Sequence, residues 1–120
     1  VSEDDSAAYV EYRHGAITFG DIRMADTRNV LTACLGEKRE LNVHSGREAL
    51  NPEDGVLLCS DGFWQYVLEG EMGIDHCKGA TSEDWLWLML NRLVHRSLMD
   101  GDNLSAVCCR ATSITQEGCQ

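Results

Sequence analysis

The sequence lacks several features that would assign it at once to a compartment or partner class. No apolar run approaches the roughly 20 residues of a membrane span, and no signal peptide is visible. Basic residues are few: 10 Lys and Arg stand against 20 Asp and Glu, which gives a net charge of −10. Because nucleic-acid surfaces need basic patches, this balance argues against a nucleic-acid partner. We therefore predict a cytoplasmic protein with no membrane and no nucleic-acid partner.

Several catalytic and metal-binding motifs are also missing. There is no Gly-x-x-x-x-Gly-Lys loop for nucleotides, no Gly-x-Ser-x-Gly elbow around a serine nucleophile, and no Cys-x-x-Cys pair for zinc. The four histidines form no His-x-x-x-His pair, which favours surface positions over metal ligation. Arg39 follows Cys34 one residue short of the spacing that cysteine-dependent phosphatases use, and no glycine-rich cradle lies between them. Carboxylate chemistry is the main candidate that remains.

The six cysteines are more typical of free thiols than of a disulfide framework. Their even number in a short chain is what a disulfide framework would show. Cys59 and Cys108, however, lie in apolar strand-like runs, where a free thiol acts as a small core residue. The adjacent Cys108 and Cys109 would point to opposite faces of a strand. We therefore expect reduced cysteines, as is usual in the cytoplasm.

Length and composition predict one domain of mixed secondary structure. The chain has 120 residues, of which 43% are hydrophobic, so a folded core is expected. Capping patterns predict a helix from Ser6 to about Arg13, a short helix from Thr18, and a long helix over about 83–99. Strands are predicted at 41–44, at 56–60, where the apolar run has the length of a buried strand, and at 104–110. The irregular order of elements favours an antiparallel α+β fold.

The remaining segments are predicted from their turn residues and glycines. Pro52 and Gly55 predict a turn in which Gly55 takes the left-handed conformation. Residues 63–68 predict one or two helical turns, and three glycines in 69–79 predict at most a weak helix. Residues 25–29 read as a polar connection, and 30–35 are ambiguous between strand and helix. The polar residues 113–120 predict a frayed tail.

Two aspartates flank the two most apolar strands. Asp61 directly follows one of them, and Gly62 would let the backbone turn. Asp102 precedes the other. Because the end of one strand lies beside the start of its antiparallel neighbour, Asp61 and Asp102 are predicted to meet at one edge of a sheet. Two carboxylates suit hard divalent cations but are too few for a complete site, and ordinary turn aspartates are the alternative, especially beside Asn103.

Five segments of the sequence also follow one another in an order that matches the motif order of a known family. Residues 57–64 read Leu-Leu-Cys-Ser-Asp-Gly-Phe-Trp, residues 102–105 read Asp-Asn-Leu-Ser, and residues 29–36 read Asn-Val-Leu-Thr-Ala-Cys-Leu-Gly. Upstream lie Asp-Asp-Ser at 4–6 and His-Gly-Ala-Ile at 14–17. These segments, spread over about residues 4–112, resemble the metal-dependent serine/threonine protein phosphatases of type 2C. The corresponding family motifs are Leu-Leu-Cys-Ser-Asp-Gly-Leu-Trp, Asp-Asn-(Ile/Met)-Thr, the bacterial Asn-x-(Ile/Leu)-Thr-Arg-Ala-Leu-Gly, Asp-His-Ser and Gly-x-Ile.

The resemblance implies a fold, a metal centre and a reaction. The fold is a two-sheet antiparallel β-sandwich flanked by helices, with a dinuclear Mn²⁺ or Mg²⁺ centre at one end. Asp61 and Asp102 would be metal ligands, and Gly62 and Asn103 would be their neighbours, with Asn103 orienting its loop. No other catalytic residue is implied in this chain. The implied activity is hydrolysis of phosphoserine or phosphothreonine in a protein substrate by a metal-activated water.

Every matching segment belongs to the C-terminal half of that family's domain. The Asp-Gly-Met-Gly-Gly segment, the phosphate-binding arginine and the proposed general-acid histidine have no match here. Ala33 stands where an arginine is usual, Gln65 where an acidic residue is common, and Ser105 in place of threonine. We therefore predict that residues 1–120 form one partial domain that exposes sheet edges, is inactive alone, and self-associates or pairs with the missing half. The alternative is a non-catalytic or degenerate relative used for protein interaction or regulation.

Overall fold

The computed structural model describes residues 1–36, 43–96 and 103–112. These residues form α-helices and one two-stranded antiparallel sheet, which confirms the predicted α+β class. The chain divides into two compact units, Val1–Arg47 and Glu48–Gln120. The elements are α1 (Ala7–Arg13), β1 (Gly55–Cys59), α2 (Asp61–Trp64), α3 (Glu69–Lys78), α4 (Ser82–Arg96) and β2 (Ala106–Arg110), with 3-10 helices at Phe19–Met24 and Asp26–Asn29.

In the first unit, α1 and the first 3-10 helix begin where the capping residues predict. Ser6 caps α1, since its Oγ accepts a hydrogen bond from the Tyr9 N–H at 3.2 Å. Gly15 follows the helix in the left-handed conformation with φ of 74°, as expected of a helix stop. The Thr18 N–H donates to Asp21 Oδ2 at 2.9 Å at the start of the first 3-10 helix. Local side-chain bonds therefore set both helix starts.

Predictions for the connecting segments of this unit were partly wrong. The expected connection at 25–29 contains the second 3-10 helix, and 30–35 form neither strand nor helix apart from one bridge between Ser6 and Leu31. Residues 41–42 of the predicted strand at 41–44 lie outside the described ranges, while Val43 and His44 are in no strand. The His44 ring instead lies 3.3 Å from Glu3 Oε2 and 3.1 Å from Asp5 Oδ1, in a contact that a strand pattern does not anticipate.

The second unit is built on the pairing of β1 with β2. The strands are antiparallel, and the register runs from Gly55 opposite Arg110 to Cys59 opposite Ala106. This pairing confirms the predicted association of the two apolar runs. One face of the sheet packs on α4, together with a buried cluster of Phe63, Val67, Trp85, Met89 and Leu93.

The opposite face of this sheet is open. Leu58 and Val107 are directly opposed across the strands and are 66% and 58% exposed. Cys109 is exposed on the same face. The prediction that β1 is a buried strand is therefore wrong, because the helices cover only one face. Within the described part of the chain each strand has a single neighbour, so both outer edges of the sheet are unpaired.

The turn before β1 forms as expected but uses a different left-handed residue. Glu53 has φ of 79°, whereas Gly55 is the first residue of β1. Gly55 is constrained by packing instead: a Cβ there would lie 2.6 Å from His76 Nε2 and 2.9 Å from Trp85 Cζ3. The glycine thus allows the strand to approach α3 and α4 closely.

Helix α3 is longer and more regular than its glycines predict. It spans ten residues and is held by tertiary contacts that a propensity argument omits. The Trp85 indole N–H donates to the Met72 carbonyl at 2.9 Å. At the other end, Arg110 of β2 donates to the carbonyls of His76 and Gly79, which satisfies C-terminal groups of the helix.

A chain of ion pairs joins α3 to α4. The Asp75 carboxylate is 1% exposed and receives two hydrogen bonds from Arg92, Nε to Oδ2 at 2.6 Å and Nη2 to Oδ1 at 2.8 Å. Arg92 Nη1 also lies 3.1 Å from Glu71 Oε1, and Arg96 Nη2 lies 2.6 Å from the same oxygen. The buried carboxylate is therefore compensated by a bidentate partner.

This ion-pair chain predicts an acid-sensitive part of the stability. Hydrogen bonds from Arg96 lower the pKa of Glu71 from 4.5 to about 2. Because the folded pKa lies below the unfolded one, the stabilisation is complete above about pH 4.5 and is lost as the pH falls towards 2. We expect melting temperatures measured by circular dichroism to fall across that window. Glu71→Gln and Arg96→Met should both reduce the dependence of the melting temperature on pH. If this dependence is unchanged in both variants, other carboxylates cause the acid sensitivity.

Helix α4 begins as predicted and is the main packing helix. The Thr81 N–H donates to Asp84 Oδ2 at 3.1 Å, and the Asp84 N–H donates to Thr81 Oγ1 at 3.0 Å, which forms a capping box. Residues 97–99 of the predicted helix and the predicted frayed tail at 113–120 lie outside the described residues. The described cysteines are free thiols, as expected: Cys34, Cys59, Cys77, Cys108 and Cys109. No helix in the described ranges is long and apolar enough to cross a membrane.

Candidate site at the end of strand β1

Asp61 lies two residues beyond the end of β1, close to the place that the sequence predicts. It is the first residue of α2, and its side chain is exposed. Asp61 Oδ1 accepts a hydrogen bond from the Gly62 N–H at 2.9 Å. The two residues therefore begin a helix instead of forming an isolated Asp-Gly turn. The predicted helical turn at 63–68 starts two residues earlier and ends at Trp64.

The core holds this short helix in place. Gly62 and Phe63 are buried immediately after the exposed Asp61. Phe63 belongs to the same buried cluster as Met89 of α4. As a result, the carboxylate is attached to a packed element at the sheet end and not to a free loop.

The chain that enters β2 lies beside this junction. The Ser60 N–H donates to the Ser105 carbonyl at 2.9 Å, and the Ser105 N–H donates to Ser60 Oγ at 3.0 Å. Ser60 Oγ also lies 3.4 Å from the carbonyl oxygen of Asn103. The predicted meeting of the two strand ends is thus confirmed for Ser60 and Ser105. Asp102 lies outside the described residues, and its place beside Asp61 stays a prediction.

The donor chemistry of the junction fits a hard cation only in part. An exposed carboxylate such as that of Asp61 is the oxygen ligand that Mg²⁺ and Mn²⁺ favour. However, across residues 1–36, 43–96 and 103–112 no group of three or more His, Cys, Asp or Glu side chains is placed to hold a metal ion. One carboxylate is insufficient, so a metal centre here needs Asp102 and additional ligands.

Ser60 is the residue of this junction that the sequence reasoning missed. The absence of a Gly-x-Ser-x-Gly elbow argues against Ser60 as a nucleophile but does not address a structural role. The available signal was its position: serine is favoured where an extended segment gives way to a helix. Ser60 is indeed the N-cap of α2, with φ of −75° and ψ of 166°. Its side chain is hydrogen-bonded to Ser105 on the opposing segment, a contact that no local sequence pattern reveals.

A concave region lies elsewhere in the same unit and contains none of the predicted site residues. It is a cleft of about 270 Å³ lined by Gly55, Leu57, Met72, Gly73, His76 and Trp85. The His76 and Trp85 rings meet edge to face, with centroids 4.7 Å apart. His76 Nε2 is buried and has no hydrogen-bond partner among the described residues. Because the Trp85 indole N–H is already bonded to the Met72 carbonyl, His76 is the remaining polar side chain of the lining, and the cleft offers no convergent set of groups for catalysis.

The comparisons with known proteins add no family to these observations. No protein-family model, curated protein or solved structure matches the chain.

Proposed function

We propose that the chain is the C-terminal part of a bacterial-type, metal-dependent serine/threonine protein phosphatase of type 2C. One observation supports this proposal most strongly. Strand β1, which ends two residues before Asp61, pairs with β2, which follows residues 102–105, and Ser60 is hydrogen-bonded to Ser105. Residues 57–64 and residues 103–105, the described part of the second segment, are thus adjacent at one end of a sheet, although Asp61 and Asp102 are 41 positions apart in the sequence.

In this proposal Asp61 and Asp102 bind Mn²⁺ or Mg²⁺ in a dinuclear centre, and Gly62 and Asn103 adjoin it. When bound, the metals would neutralise the phosphate of a phosphoserine or phosphothreonine and activate a water for hydrolysis. The chain's own contribution is to fix a carboxylate. The Gly62 N–H holds Asp61 Oδ1, and the buried Phe63 holds the helix that carries both residues.

The open sheet supports the idea of a partial domain. In a two-sheet sandwich, a second layer would cover the face that exposes Leu58 and Val107, and further strands would pair with the free edges. The phosphate-binding groups would then come from the missing N-terminal half. Isolated activity is not expected, and we propose pairing with that half or self-association, a phosphorylated protein substrate, and a cytoplasmic location.

A second candidate function is a non-catalytic half-domain that serves protein interaction or regulation. The observation that favours it is the combination of an exposed apolar sheet face with a single described carboxylate at the junction. Such a module would retain the fold but would not need to bind a metal ion. Metal binding therefore separates the two candidates.

The test is a calorimetric titration of the chain with Mn²⁺. We expect binding in the parent chain and at least about tenfold weaker binding in the Asp61→Ala, Asp102→Ala double variant, since both proposed ligands are removed. A matched control is Asp26→Ala, Glu83→Ala, which removes the same charge at exposed positions. Equal losses in the two double variants would indicate non-specific binding to an acidic protein. No binding by the parent chain would favour the non-catalytic candidate.

A further inference from the structure

The backbone register of the sheet continues one residue beyond β1 and β2. Cys59 lies opposite Ala106, so Ser60 lies opposite Ser105. Residues in a hydrogen-bonded antiparallel pair exchange two N–H to carbonyl bonds. The first of these is present, from the Ser60 N–H to the Ser105 carbonyl at 2.9 Å. The second would require the Ser60 carbonyl to accept from the Ser105 N–H.

The Ser60 carbonyl is already used by helix α2. It accepts from the Phe63 N–H at 3.1 Å and from the Trp64 N–H at 3.0 Å, the first bonds of that helix. A carbonyl that points along a helix axis cannot also point across the sheet. The change from strand to helix would therefore leave the Ser105 N–H without its ladder acceptor.

The Ser60 hydroxyl takes the place of that carbonyl. Its oxygen accepts from the Ser105 N–H at 3.0 Å, and the same hydroxyl makes a longer contact of 3.4 Å with the Asn103 carbonyl. The Ser60 side chain thus adds two contacts to the opposing backbone beyond the end of the strands, one with the Ser105 N–H and one with the Asn103 carbonyl. Alanine or glycine at residue 60 would remove both contacts, whereas threonine keeps a hydroxyl on the same atom.

We infer that Ser60 is a positioning residue, whose hydroxyl aligns residues 103–105 with Asp61 while its carbonyl starts the helix that carries Asp61. The consequence for metal affinity rests on the proposed function. The alignment itself rests only on the hydrogen bonds of Ser60. Because Ser60 touches neither substrate nor metal in this proposal, it acts entirely through the backbone of its neighbours.

The alignment is tested by amide hydrogen exchange of the whole chain, followed by NMR. In the parent chain the Ser105 N–H should exchange more slowly than an unstructured peptide, and an unprotected amide there would overturn the inference without any variant. Ser60→Ala should speed Ser105 exchange by about fivefold, and Ser60→Thr should restore it. Ser105→Ala is the matched control, because it removes the hydroxyl of the opposing serine but keeps the N–H and its acceptor. Exchange that is unchanged in Ser60→Ala would also overturn the inference.

Mn²⁺ titration of the same proteins separates this inference from the proposed function. We expect weaker binding by Ser60→Ala and recovery in Ser60→Thr. A parent chain that binds Mn²⁺, with equal binding by Ser60→Ala, would overturn the positioning role and leave the proposed function intact. A parent chain that binds no Mn²⁺ would overturn the proposed function, while slower exchange of Ser105 that depends on the Ser60 hydroxyl would still support the alignment.

Discussion

Replacing Arg92 with methionine should strongly destabilise the second unit. The substitution leaves the Asp75 carboxylate, which is 1% exposed, buried without its bidentate partner. A buried carboxylate that loses its partner in this way costs about 3–5 kcal/mol of unfolding free energy. Urea denaturation followed by circular dichroism would measure the loss in Arg92→Met relative to the parent chain.

Two further variants distinguish a buried unpaired charge from a general loss of surface charge. Asp75→Leu combined with Arg92→Met should recover most of the lost stability, because an apolar pair replaces a buried ion pair without leaving a charge unpaired. Arg96→Met removes a cation from the same ion-pair chain, but its partner Glu71 is less buried than Asp75. A loss in Arg96→Met as large as that in Arg92→Met would contradict the explanation.

The second large effect is expected at Phe63, which anchors the helix that begins with Asp61. Phe63 is 0% exposed and packs in the cluster that contains Val67 and Met89. Phe63→Ala removes buried apolar area and leaves a cavity, so we expect it to lower the unfolding free energy by about 3–5 kcal/mol. Chemical denaturation would show a lower transition midpoint.

An exposed aromatic residue of the same unit provides the control for Phe63. Trp87 lies on α4 and is 58% exposed, so Trp87→Ala should change the unfolding free energy by no more than about 0.5 kcal/mol. Similar losses in Phe63→Ala and Trp87→Ala would mean that the buried cluster does not govern the stability of this unit.

The parts of the fold that follow from local chemistry could be predicted from the sequence. Ser6, Thr18 and Thr81 each mark a helix start through side-chain bonds to residues three positions away. The composition of the two apolar runs identified them as strands, and the geometry of an antiparallel pair then put the end of one beside the start of the other. It placed the residue before Asp61 beside the start of the second strand, as the bonds between Ser60 and Ser105 show.

The parts that depend on distant residues could not be predicted. Helix α3 forms in spite of its glycines because contacts with Trp85 and Arg92 outweigh the intrinsic preference. Gly55 is required by the rings packed against it and not by its own turn. At the site, the role of Ser60 depends on strand register, which is set only when both strands are in place. The ligand role of Asp102 stays a prediction.

The contact of Arg110 with the end of α3 has a consequence for synthesis on the ribosome. Arg110 belongs to β2, the later of the two described strands, yet it completes the C-terminal end of a helix translated before it. β1 likewise cannot pair until β2 has been synthesised, because its partners in the sheet are residues 106–110. A nascent chain at about 5–20 residues per second therefore carries an unpaired apolar strand for several seconds before β2 emerges. During that interval the strand is a target for chaperones and for aggregation, and a chain truncated before Ala106 would make the exposure permanent.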